Sequence, residues 1–142
     1  MAASDILGTW ALIATEWRRA DGRHANPFGE AATGILIYDA AGYMSAQIMR
    51  SDRPSGDPAH AGIDSAMASA TPGYVAYFGA FDVDETAGVV THRVIGAVHP
   101  AWAGREFARR YSIDSDVLTL RDDLVAADGV AVDAATTWQR IR

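Results

Sequence analysis

Apolar and polar residues alternate along this chain in short stretches with a period of two, the period of a strand with one face turned to a core. Leu118-Thr119-Leu120-Arg121 shows the pattern most plainly. Val, Ile, Tyr, Phe and Thr concentrate in these stretches, and turn-forming residues divide them at Asp39-Ala-Ala-Gly42, Asp84-Glu-Thr-Ala-Gly88 and Asp114-Ser-Asp116. The pattern predicts eight strands, over residues 8–17, 33–39, 42–50, 73–84, 88–98, 104–114, 116–121 and 133–141. One short helix is expected near 63–70, where alanines and Met67 follow the break at Asp57-Pro58. There is no internal repeat and no linker-like shift in composition, so residues 1–142 are expected to form a single domain.

Loop lengths sharpen the topology. In an up-and-down meander, successive connections fall at alternate ends of the sheet. The second, fourth and sixth connections are tight, whereas those over 18–32, 51–72, 99–103 and 122–132 are longer and gather at the other end. This predicts an all-β, eight-stranded antiparallel up-and-down barrel with one closed end and an interior entered from the loop end. Residues 18–32 and 51–72 would form a lid carrying the short helix. A flattened sandwich with a packed core is the alternative.

Composition removes several chemistries. All 12 cationic residues are arginine, so lysine nucleophiles and Schiff bases are excluded, and the absence of cysteine excludes thiolates, disulfides and cysteine-bound metals. A net charge of −6 argues against nucleic acid or an anionic membrane surface as partner. The N-terminus lacks a cationic segment followed by an apolar one, and no apolar run approaches the ~20 residues of a membrane helix, so a cytoplasmic location is expected. His24 and His60 fall in loops without ligand spacing, and no phosphate-binding glycine loop or nucleophile elbow occurs, so neither a metal nor a cofactor is expected.

Gly8-Thr9-Trp10, at the head of the first strand, resembles the Gly-x-Trp signature of lipocalins. Longer stretches resemble the small lipocalin-like domain proteins of bacteria and fungi: Asn26-Pro-Phe-Gly-Glu30, Thr33 to Ser45, Tyr77-Phe-Gly79, Val90-Thr-His92, and Pro100-Ala-Trp-Ala-Gly104 followed by Arg109-Arg110. The resemblance runs in order along nearly the whole chain. It implies a lipocalin-like barrel of the calycin type, with Trp10 packed across the closed end beneath Arg140 of the last strand. It implies little about chemistry, because such barrels serve as binders, carriers, isomerases and cyclases.

Parity along each strand then sorts the polar residues. Val90, His92, Val94, Gly96 and Val98 form an apolar set interrupted by one histidine, which points His92 inward. Phe107, Arg109, Tyr111 and Ile113 make Arg109 the inward guanidinium and leave Arg110 to water. Val75, Tyr77, Gly79, Phe81 and Val83 form the apolar face of the fourth strand, where Gly79 would relieve curvature or make room for a ligand. The third strand is ambiguous, and the set Tyr43, Ser45, Gln47 and Met49 is taken as inward. His92, Tyr77 and Arg109 are thus the candidate catalytic residues, and Tyr43, Gln47, Trp102, Tyr111 and His99 the candidate ligand-binding ones.

A buried arginine needs a counter-charge, and Glu16 is the nearest carboxylate by parity. If Glu16 does not pair with it, Arg109 calls for an anionic guest, a small hydrophobic molecule with a carboxylate, enolate or phenolate. The expected function is a cofactor-independent isomerase, cyclase or lyase acting on a hydrophobic organic acid or an enolisable substrate. The alternative is a non-catalytic carrier of a small hydrophobic anion, and a third reading is an accessory domain with a filled barrel. The oligomeric state is left open, a homodimer included.

Overall fold

The computed structural model describes residues 2–24, 26, 28–53, 73–126 and 128–142. The expected helix at 63–70 lies outside them. Eight strands form: β1 (Gly8–Arg19), β2 (Thr33–Tyr38), β3 (Tyr43–Met49), β4 (Tyr74–Asp84), β5 (Val89–Ala97), β6 (Glu106–Asp114), β7 (Val117–Val125) and β8 (Ala131–Ile141). Each pairs antiparallel with the next, and β8 returns to β1, so the sheet is a closed barrel without a free edge. The helical turns among the described residues are 3-10 turns at Ala3–Ile6 and Pro100–Trp102. The β7–β8 connection is shorter than expected because β7 continues through Asp122 and Asp123 to Val125.

The closed end is built from residues near both ends of the chain. Trp10 is completely buried, and its indole Nε1 donates to the Ile6 carbonyl at 2.9 Å. The Arg140 guanidinium lies 4.1 Å from the centre of the Trp10 ring and donates to the carbonyls of Leu7 (2.7 Å) and Asp5 (2.6 Å). A Cβ at Gly8, whose φ is +125°, would sit 2.9 Å from Arg140 Nη1, so glycine there permits both the backbone conformation and the approach of the arginine.

Two β-bulges reset the alternation. In β1 the register against β8 slips between Leu12 and Ala14, which turns Ile13 outward and moves the inward positions from Trp10 and Leu12 to Thr15 and Trp17. In β5, Ile95 is the extra residue opposite the step from Phe78 to Gly79. Gly96 therefore lies under the Phe78 ring on the outside and Val98 is exposed, contrary to the simple alternation, while Val90, His92 and Val94 point inward as expected.

At Gly79 a Cβ would come within 1.9 Å of the Arg93 carbonyl oxygen. The residue thus allows two strands to meet at a bulge and does not make room for a ligand. Gly79→Ala is expected to destabilise the protein by at least ~1–3 kcal/mol, as overpacking against backbone does, and urea unfolding measures it. An unchanged midpoint would remove the bulge from the account.

The third strand faces the opposite way from expectation. Met44 and Ala46 are buried, while Tyr43 is 56% exposed. Cross-strand partners share a face, and Ala46 lies opposite Leu36 on one side and Tyr77 on the other, both inward. The outer face of this half of the barrel is itself apolar, with Ile35, Ile37, Phe78 and Ile95 exposed, so hydrophobicity alone could not set the parity of β2 and β3.

Candidate functional site

Above the closed end the barrel encloses a cavity of about 590 Å³, within the range of small-molecule sites. Trp17, Leu36, Trp102, Phe107, Leu124 and Trp138 supply much of its apolar wall, and His92, Tyr77, Arg109 and Asp122 bring polar groups to it. The inward alternation of β4, β5, β6 and β7 delivers these four side chains to one region. Val90 pairs with Arg109 and His92 with Phe107, so His92 and Arg109 stand two residues apart across neighbouring strands.

The polar groups form one connected chain. Tyr38 Oη lies 2.6 Å from His92 Nε2, and Tyr77 Oη lies 2.7 Å from His92 Nδ1. Arg109 Nη1 donates to Tyr77 Oη at 2.9 Å and stands 3.1 Å from His92 Nδ1. Arg109 Nε is 3.6 Å from the Asp122 carboxylate, and the guanidinium carbon lies 5.0 Å from the centre of the Phe107 ring. Phe107 and Trp102 meet edge to face at 5.5 Å, fixing the wall against which the arginine rests.

Burial governs the electrostatics. His92 is 1% exposed, and burial, aided by the Arg109 charge, holds its pKa well below the ordinary 6.5, so the imidazole is neutral. Burial raises the pKa of Tyr77, with Arg109 opposing, and raises that of Tyr38 well above the ordinary phenol value, so both remain hydroxyls. The Asp122 carboxyl is likewise pushed up by burial, and Arg109 pulls it back.

A stability prediction follows for His92. The unfolded chain binds a proton near pH 6.5 and the folded His92 resists it, so stability is full above that pH and is lost as pH falls below it. The loss approaches ~1.4 kcal/mol per pH unit for one proton. Denaturant midpoints of the unaltered protein and His92→Gln between pH 7.5 and 5 should diverge with that sign. Parallel curves would mean that His92 protonates freely in the folded state.

His92, Tyr77, Arg109 and Trp102 are thus brought together at the cavity. Tyr43 and Gln47 are not: β3 turns both outward, where Gln47 accepts a hydrogen bond from the Tyr74 hydroxyl. Tyr111 is buried inside the barrel but does not line the cavity, and burial, with the charges of Glu85, Asp5 and Asp84 adding, raises its pKa. His99 stacks on Trp102 with planes 6° apart and borders an outer depression, its Nδ1 accepting from the Ala101 amide. Glu16 is turned out by the β1 bulge and pairs with Arg18 at 2.5 Å, so Asp122 takes the place expected of it.

Two members of the site escaped the sequence reading. Asp122 falls in the connection that the pattern predicts over 122–132, although Leu118, Leu120, Asp122 and Leu124 continue one inward alternation. Tyr38 shares parity with Leu36, but Ile35 and Ile37 on the opposite face concealed it.

A family model described as a lipocalin-like domain matches residues 7–141. The chain belongs to the lipocalin-like domain family. No curated protein matches it significantly. Membership in this family together with the apolar cavity supports small-molecule binding by the lipocalin-like barrel, and does not extend to isomerisation or cyclisation. Among the described residues no helix is long and apolar enough to cross a membrane, and no three His, Asp or Glu side chains converge as metal ligands would.

Proposed function

We propose that this lipocalin-like protein takes a small hydrophobic molecule bearing one anionic or enolisable oxygen into the barrel, with Arg109 as its anchor. One observation carries this reading. Among the described residues the Arg109 guanidinium has only Asp122, at 3.6 Å, as a carboxylate partner, and its Nη2 donates no hydrogen bond in a mostly apolar cavity. Guanidinium donors in such surroundings favour an oxygen with negative charge, and the aromatic walls favour an apolar body. The naphthalene acid 2-naphthoate is a suitable probe. Calorimetry should show it binding with a negative heat-capacity change and at least about tenfold more tightly than 2-naphthamide. Equal affinity for acid and amide would remove the anionic preference.

A catalytic role is favoured by a separate observation. A neutral histidine sits between two hydroxyls, one of which borders the cavity, so a proton given to a guest can be replaced from behind. In this reading the protein is a cofactor-independent isomerase or cyclase, with Arg109 holding the enolate oxygen. The apolar enolisable ketone 2-tetralone in deuterated buffer tests it: α-hydrogen exchange should run faster with the protein than with buffer and slow by ~10²-fold or more in Arg109→Met. Exchange at the buffer rate would leave a carrier.

A further inference from the structure

The hydrogen atoms of the buried network can be counted. A neutral imidazole carries one N–H, and each tyrosine oxygen donates one hydrogen and accepts up to two. If the His92 proton were on Nε2, it would be donated to Tyr38 Oη, and the Tyr38 hydrogen would then need an acceptor elsewhere. None exists among the described residues: Tyr38 is 1% exposed, packs edge to face on Phe81 at 4.8 Å, and has His92 as its single hydrogen-bond partner. A buried hydroxyl hydrogen without an acceptor is the arrangement folded proteins avoid. With the proton on Nδ1, Tyr38 donates to Nε2 and every buried hydrogen at that end is used.

The consequence falls on Tyr77. Its oxygen then accepts from His92 Nδ1 at 2.7 Å and from Arg109 Nη1 at 2.9 Å, and the 3.1 Å approach of Nη1 to Nδ1, a hydrogen bond only in the other tautomer, is given up so that the buried Tyr38 hydrogen keeps its acceptor, while Nη1 still donates to Tyr77. The hydroxyl oxygen accepts twice, and its own hydrogen has no acceptor among the described residues. Unlike Tyr38, Tyr77 borders the cavity, where solvent or a guest can accept that hydrogen. Two donors pulling on its oxygen make the hydroxyl a stronger donor in turn.

We infer that His92 is protonated on Nδ1 and that Tyr77, rather than His92, presents the hydrogen to the guest, whose oxygen accepts jointly from Tyr77 and Arg109. This rests on the cavity reading above and narrows it: the guest carries a carbonyl, carboxylate or enolate oxygen able to accept two hydrogen bonds. His92 is a positioning residue. Both its nitrogens are occupied by tyrosine hydroxyls, and Tyr38 sets the tautomer that turns the Tyr77 hydrogen towards the guest.

Two measurements test it. The nitrogen NMR spectrum of the full-length protein labelled at histidine should contain a neutral ring protonated on Nδ1 with bare Nε2, a signal absent from His92→Gln; a His92 ring protonated on Nε2 overturns the inference whatever the protein binds. Tyr77→Phe should weaken 2-naphthoate at least about tenfold and leave 2-methylnaphthalene, which has no oxygen, within about threefold. If Arg109→Met weakens 2-naphthoate and Tyr77→Phe does not, the inference fails while the anchored-guest reading stands. If 2-naphthoate does not bind the unaltered protein, that reading fails, and the histidine spectrum still decides the tautomer.

Discussion

Trp10→Ala is expected to cost about 3–5 kcal/mol of unfolding free energy, the largest single-residue loss foreseen in the protein, because it empties a fully buried aromatic volume. The neighbourhood cannot collapse to fill the space. Ile6 is held from below by its own 3-10 turn, and Arg140 is fixed to the carbonyls of Leu7 and Asp5 and cannot follow a retreating ring. The substitution also removes the donor to the Ile6 carbonyl and the ring beneath the guanidinium, a contact worth ~0.5–2 kcal/mol. Arg140→Met should cost less, because Trp10 stays buried. Urea unfolding measures both, and a loss below about 1 kcal/mol for Trp10→Ala would contradict the closed end as described.

Arg109→Met is expected to reduce the affinity for 2-naphthoate at least about tenfold, ~1.4 kcal/mol or more, with little change in stability. Methionine roughly preserves the volume against Phe107 and removes the charge. No buried polar atom loses its last partner: Tyr77 keeps His92, and the Asp122 side chain is 25% exposed and retains water. The outward neighbour Arg110 pairs with Asp123 at 3.3 Å, so Arg110→Met should leave binding unchanged. The reverse result, binding lost with Arg110 and kept without Arg109, would place the guest outside the barrel.

What could be read from the chain depended on whether alternation held. On β6 it holds throughout, so the sequence places Arg109 inside and Arg110 outside, whereas the meeting of Trp10 and Arg140 at one end is what the resemblance to lipocalins implies. On β1 and β5 a bulge inserted one residue and reversed the faces beyond it. A bulge has no composition of its own, which is why Glu16, Gly96 and Val98 were misplaced while Trp10 and His92 were not. On β2 and β3 the difficulty was chemical, because an apolar outer face erases the contrast that parity needs. Tyr38 was hidden for that reason, and Tyr43 and Gln47 were drawn inward. Asp122 was missed because two adjacent aspartates resemble a loop, although only Asp123 faces outward.

The central claim, that the barrel interior holds a small molecule by its oxygen, is tested most directly by the structure of the complex with 2-naphthoate. The carboxylate should lie within hydrogen-bonding distance of both Arg109 and Tyr77, with the ring system between Trp102 and Trp138. A naphthoate seated on the exposed outer face against Ile35 and Phe78, or within the barrel with its carboxylate turned away from Arg109, would contradict the account.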